Sequence, residues 1–196
     1  VPTTIFEQMA PGSVSQMAQY NTSLTCTNGA SGSPTVLPVN QPVTSYDIAS
    51  FEYGDAIACT FTNTPKPATV AVQKITVNAA GGPFSFTQSN LASNPANITT
   101  ATAGVAAPAS PTAINVTAIN TQVQITETAN PNFTLTAATC SDANAAITGN
   151  PASFGSFAGN VVTIPAANVK AASQITCTLT NTANAPRITF QKALGL

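Results

Sequence analysis

The sequence predicts an all-β protein built from tandem immunoglobulin-like β-sandwich repeats, and three observations carry that expectation. Short stretches of strict polar–apolar alternation are punctuated by Gly, Pro and Asn, the pattern of strands and turns. The same stretches occur twice: IACTFTNT at 57–64 matches ITCTLTNT at 175–182, and TVAVQKI at 69–75 matches RITFQKA at 187–193. No segment has the apolar spacing of an amphipathic helix, and PAANVKAAS (165–173) offers one turn at most.

The repeat sets the domain organisation. Asn63 and Asn181 are 118 residues apart, as are Lys74 and Lys192, and Glu7 and Glu127 are 120 apart. Residues 66–185 then form one complete sandwich repeat. Residues 1–65 form the C-terminal half of a repeat before it, and 186–196 the first strand of a following repeat or an exchanged strand. TPKPAT and TANAPR are the short proline-containing joints. A chain that begins and ends inside a repeat, with no leader legible in VPTTIFEQ, suggests an array of longer extent.

Within the complete repeat, seven strands are expected: 69–77, 84–87, 114–119, 122–128, 133–139, 161–164 and 174–182. NAAGGP, residues 78–83, is a hairpin-type turn between the first two. The Ala-, Ser-, Asn- and Pro-rich region 88–112 reads as loop or edge strand. Seven short strands in a repeat of this length fit a sandwich.

Composition narrows function. Only 11 of 196 side chains are charged, the net charge is −1, and neither His nor Trp occurs. Nucleic-acid binding needs a basic footprint that is missing here. Without histidine there is no nucleophile–His pair, no phosphate-binding glycine loop is present, and no enzyme or cofactor is expected. Four cysteines without a CxxC spacing give no metal site. Asp142 and Asn144 in CSDAN read as turn formers, with calcium the alternative. The cysteine spacing of 33 and 37 residues, one pair per half of the chain, points to disulfides Cys26–Cys59 and Cys140–Cys177. Each closes a loop worth roughly 3–4 kcal/mol in the chain-entropy model and implies an oxidising, extracellular setting. No apolar run is long enough to span a membrane. The sequons at Asn21, Asn97, Asn115 and Asn132 are what chance gives in a Thr-rich chain.

Alternation also assigns faces, because successive strand residues point to opposite sides. Val70, Val72 and Lys74 share one face, as do Ile188, Phe190 and Lys192. Val123, Ile125 and Glu127 share another, matched by Ile5 and Glu7, while Asn63 and Asn181 take the inward parity of their strands. A Lys, a Glu and an Asn therefore each fall on an apolar face, twice. Burial lowers a lysine pKa and raises a glutamate pKa, which leaves a nucleophilic amine and a proton-shuttling acid beside a carboxamide. Attack of the amine on the amide, with loss of ammonia, gives a Lys–Asn isopeptide bond. A plain ion pair and hydrogen-bond network fits the same residues.

TVAVQK, QITETANPNF and ITCTLTNT resemble the three signature strands of the CnaB or SpaA-type prealbumin-like repeats of bacterial surface proteins and pilins. The resemblance implies that Lys74 is the amine, Asn181 the acceptor and Glu127 the catalytic acid of an intramolecular isopeptide. Glu7 and Asn63 are then catalyst and acceptor in the preceding repeat, and Lys192 serves a following repeat or another copy. NPNF stands where the family motif has Pro-Gly-Tyr, and the cysteine pair is similar to disulfide-bearing variants in which the disulfide replaces the cross-link. Three functions follow, all at the cell surface. The first is a structural component of a bacterial surface fibre, stalk or filament. The second is a filament subunit polymerising by strand exchange, and the third an adhesin whose 88–112 region meets a host or matrix ligand. The partners implied are adjacent repeats or copies of the chain itself.

Overall fold

Strict alternation in TVAVQKITV and QITCTLTNTA produces the two central strands of the structure, a computed structural model that describes residues 2–192. In chain order the first half contains β1 (Thr3–Phe6), β2 (Tyr20–Asn28), β3 (Ser45–Ile48) and β4 (Ile57–Pro65). The second half runs through β5 (Thr69–Val77), β6 (Gly81–Phe84), β7 (Phe86–Ser89), β8 (Ile98–Thr100) and β9 (Ile114–Asn115). It continues with β10 (Val123–Glu127), β11 (Phe133–Asp142), β12 (Ser156–Ala158), β13 (Val161–Ile164) and β14 (Gln174–Ala183). One helical turn, Ala145–Thr148, follows β11 and ends on Gly149 at φ 67°.

The second half is a sandwich of two four-stranded sheets, ordered β12-β13-β10-β7 and β11-β14-β5-β9, with β6 and β8 paired alongside. Inward residues of both sheets meet in one core: Val70, Val72, Ile175, Cys177 and Leu179 from one, Val123, Ile125, Val162 and Ile164 from the other. Each such side chain contributes roughly 1.5–3 kcal/mol on leaving water. Phe84 lies in this core and meets Phe133 edge to face at 5.3 Å.

β5 and β14 run parallel, with Lys74 opposite Leu179 and Val72 opposite Cys177. Parallel neighbours need a long crossover, and here the crossover is the whole remainder of the repeat. First and last strands thus lie side by side in the middle of a sheet. β14 is held on its other edge by antiparallel β11, with Cys140 opposite Cys177.

The first half reproduces the C-terminal half of this plan. β2 pairs β4 with Cys26 opposite Cys59, and β1 pairs β3 with Ile5 opposite Tyr46, as Ile125 stands opposite Val162. The joint between halves is tied rather than loose. Lys66 N–H donates to Gln19 O at 2.9 Å, Ala172 N–H donates to Lys66 O at 3.1 Å, and Ala68 is buried.

Several strands differ from expectation. The expected strand 84–87 is two, β6 and β7, belonging to different sheets and separated by Ser85. NAAGGP is therefore no hairpin, since β6 pairs β8 and not β5. The strand expected over 114–119 ends at Asn115, because the Asn90 side chain captures the N–H of Ala118 and the hydroxyl of Thr117. β8 lies inside the 88–112 region, and β12 was not expected. Residues 184–192, which cover most of the strand expected over 186–196, form no regular element, and 193–196 lie outside the described residues.

Gly82 is where the backbone tolerates least. Its φ is +133°, and an added Cβ would stand 2.8 Å from Ile98 O and 2.9 Å from Thr99 Cα. Strain and overpacking then act together. Gly82→Ala is expected to destabilise by about 1–3 kcal/mol, read as a lowered thermal midpoint with native strand content retained.

Candidate functional site

Three strands bring one charged or polar side chain each into the sandwich interior. Lys74 of β5 is 0 % exposed, Glu127 at the end of β10 is 3 % and Asn181 of β14 is 0 %. Their polar atoms close a ring. The Lys74 ammonium donates to Asn181 Oδ1 at 2.6 Å and to Glu127 Oε2, and the Asn181 amide donates to Glu127 Oε1. One carboxylate thus touches both the amine and the amide nitrogen. The Phe84 ring lies 4.7 Å from Lys74 Nζ and shields that side.

Burial pushes the Lys74 amine below its ordinary pKa, while the hydrogen bond and charge of Glu127 pull it back up. Desolvation is the larger cause, as expected for an amine enclosed by Phe84 and core side chains. An amine held below its ordinary pKa thus lies against a carboxamide, with one carboxylate touching both.

A second constellation sits in the first half, where Asn63 Nδ2 donates to Glu7 Oε1, as Asn181 Nδ2 does to Glu127 Oε1. Glu7 and Glu127 are also held alike, their N–H groups donating to Thr44 O and Asn160 O, each at 2.9 Å. Thr22 Oγ1 donates to Asn63 Oδ1 at 2.5 Å, on the acceptor that Lys74 occupies in the other site. No lysine reaches this pair among the described residues. Lys192 lies in the exposed segment 184–192. Asn63 is itself exposed although its parity is inward, because β4 has only β2 beside it among the described residues.

Both disulfides form, Cys26–Cys59 and Cys140–Cys177. Their surroundings differ. Cys140 and Cys177 are 1 % and 0 % exposed, whereas Cys59 faces solvent. Exchange requires a thiolate to reach a sulfur, so a mild reductant is expected to open Cys26–Cys59 first, with Cys140–Cys177 following only on unfolding. Timed alkylation and peptide mapping check the order.

Asp142 had a structural role that sequence reading missed. Its Oδ1 accepts the N–H groups of Asn144 and Gln174 at 2.9 and 2.8 Å, and its Oδ2 accepts Thr148 Oγ1 and Asn150 Nδ2 at 2.6 and 2.8 Å. Four donors on one buried carboxylate pin the loop after β11 to the start of β14. In the first half Asp55 does similar work, held well below the usual carboxylate range by hydrogen bonds from Ser33, Thr35, Asn28 and the Glu52 N–H. A polar residue two places after Cys26 and Cys140, Asn28 and Asp142, was the available signal.

No helix among the described residues is long and apolar enough to cross a membrane. A family model described as a prealbumin-like fold domain, of SpaA type, matches residues 70–183, and a second with the same description matches residues 1–65. No curated protein and no solved structure matches the chain.

Proposed function

The chain belongs to the SpaA-type prealbumin-like fold domains, modules of pilins and surface-fibre proteins with a structural role, and from that premise we propose that it is part of a bacterial extracellular fibre or stalk whose complete repeat is closed by a Lys74–Asn181 isopeptide as well as by its disulfide. The observation that carries this reading is the buried ring of Lys74, Glu127 and Asn181. The two disulfides fit an oxidising, extracellular environment.

The bond follows from the contacts. The neutral Lys74 amine attacks Asn181 Cγ, and the new Nζ–Cγ bond forms as the carbonyl becomes tetrahedral. Glu127 takes the proton from Nζ at Oε2 and delivers one to Nδ2 from Oε1, the two oxygens already touching those nitrogens. The Cγ–Nδ2 bond breaks and ammonia leaves. The product is a neutral amide in a dry core, which removes the cost of burying a separate ammonium.

Placement matches a tensile role. Asn181 ties β14 to β5, and Cys177 ties it to β11. Force entering the repeat along its first strand and leaving along its last passes through the amide, so hydrogen-bond ladders are spared.

Intact mass under reducing conditions is the test. The chain is expected to be lighter than its sequence mass by one ammonia, with a cross-linked peptide joining Lys74 and Asn181 after digestion. A chain at full mass removes the isopeptide and leaves an ion-paired repeat closed by its disulfide.

A further inference from the structure

We propose that the cavity beside the outer edge of β5, in the second sandwich, binds a neutral saccharide, and that the backbone of Val72 forms its floor.

A break in one ladder creates the site. Thr69 N–H donates to Ser173 O, so the odd-numbered residues of β5 bond β14 and the even-numbered ones turn to the other edge. On that edge Ala68 O accepts Val116 N–H at 2.9 Å, and Val70 stands opposite Ile114. Lys74 exchanges both its backbone bonds with Ala107, at 2.7 and 2.8 Å, and Thr76 O accepts Gly104 N–H at 2.7 Å. Val72 lies between these rungs and has no partner on that edge among the described residues. Chain length is the reason. Five residues of β5, 70–74, face eight of the opposing chain, 107–114, so the latter bows away between its two attachments.

The bow leaves a cavity of about 490 Å³ lined by Val72 and Ile114, by the loop 93–99 and by Ala107, Pro108 and Thr112. That volume is in the range of small-molecule sites, ~300–1,000 Å³. Pro95 and Ile98 are buried and brace one wall. Ser93, Asn94, Asn97, Thr99 and Thr112 bring hydroxyls and carboxamides to the cavity, and none of these side chains is hydrogen-bonded among the described residues. Polar side chains just outside it are committed: Gln88 to Leu91 O, Asn90 to Ala118 O and Gln73 to Pro108 O.

These groups select the ligand. Val72 offers one donor and one acceptor side by side, pointing the same way. Two neighbouring hydroxyls of a sugar ring match them, one accepting from the N–H and the other donating to the C=O. A single trans amide does not match, because its N–H and C=O point in opposite directions. An added peptide strand does not fit either, since it needs consecutive free rungs and the rungs on both sides of Val72 are occupied. No charged side chain lines the cavity, so an ionic ligand would be left unpaired on leaving water. The free hydroxyls and carboxamides suit the remaining sugar hydroxyls, and Ala96, Pro108 and Ile114 offer an apolar surface to the C–H face of the ring. A fibre presenting many such sites would gain avidity for a glycan surface.

The test is titration of the ¹⁵N-labelled chain with glucose, galactose, mannose, lactose and maltose, followed by proton–nitrogen NMR and amide hydrogen exchange. In the free chain the Val72 N–H is expected to exchange faster than the Lys74 N–H. At least one sugar should give saturable shifts confined to Val72 and to residues 93–99 and 107–114, and should slow the Val72 exchange. Asn97→Ala combined with Thr112→Val should weaken binding by about tenfold for each hydrogen bond lost. The thermal midpoint should not change, because both side chains are exposed and unpaired. A Val72 amide as protected as Lys74 in the free chain, no shift with any of these sugars, or full affinity in the double variant would overturn the proposal. So would stronger shifts of the same amides with a blocked threonine dipeptide, which would make the ligand a peptide.

Discussion

Glu127→Ala is expected to leave the chain at its own full sequence mass, with no ammonia lost, and to destabilise the complete repeat by more than any other single change. Two losses combine. The proposed cross-link would close a separation of 107 residues, worth roughly 5 kcal/mol in the chain-entropy model. In the variant Lys74 also keeps its amine, without a partner, in a site with no exposure, and a buried charge left uncompensated in this way costs roughly 3–5 kcal/mol. Against a total stability of roughly 5–15 kcal/mol for a domain, the variant sits at the edge of folding. Denaturant unfolding, with intact mass of the same sample, measures both effects.

Its pH dependence carries a sign that identifies the cause. In the variant Lys74 keeps a free amine whose native pKa burial holds below the ordinary 10.5. Below that lowered value both states are protonated and the full penalty of the buried charge applies. Between it and about 10.5 the unfolded chain binds the proton that the native chain has released, so stability rises with pH. A wild type cross-linked as proposed would have no such amine and no such rise. A variant with Lys74→Met, Glu127→Leu and Asn181→Leu separates cross-link from ion pair. Apolar replacement of a buried pair is often neutral or stabilising, so a wild type held only by the ion pair would be matched by this variant. A cross-linked wild type should exceed it by the cross-link term.

Position within an alternating strand was enough to place Lys74, Glu127 and Asn181 in one interior, because parity decides the face and the two sheets supply a single inside. The cysteine pairs were legible from their similar spacing, one pair per half of the chain, and each falls directly opposite in neighbouring strands. Parity does not say which strand lies alongside. The parallel pairing of β5 with β14 was therefore invisible, and so was the exposure of Asn63, whose inward face has no strand over it among the described residues. β8 and β12 escaped because three-residue strands carry too little period to register. The Asp142 network escaped because its donors come from Asn144, Thr148, Asn150 and Gln174, brought together only by the loop they fix.

Removing the second disulfide as Cys140→Ala with Cys177→Ala is expected to cost the next largest amount, about 4 kcal/mol for a loop of 37 residues. Both cysteines are buried in the core cluster, so the lost sulfur atoms leave a void that adds to this figure. The effect should depend on the isopeptide. With Lys74 bonded to Asn181, β14 remains anchored to β5 after the disulfide is gone, and the whole 37-residue loop is already enclosed by the larger one. In the Glu127→Ala background β14 has no covalent anchor left, and the same double replacement should unfold the repeat. A double-mutant cycle on unfolding free energies reads this coupling, and additive losses would mean that the two links do not share β14 as their common load-bearing strand. The corresponding replacement of Cys26 and Cys59 should leave the unfolding of the second sandwich unchanged, because that pair ties β2 to β4 only.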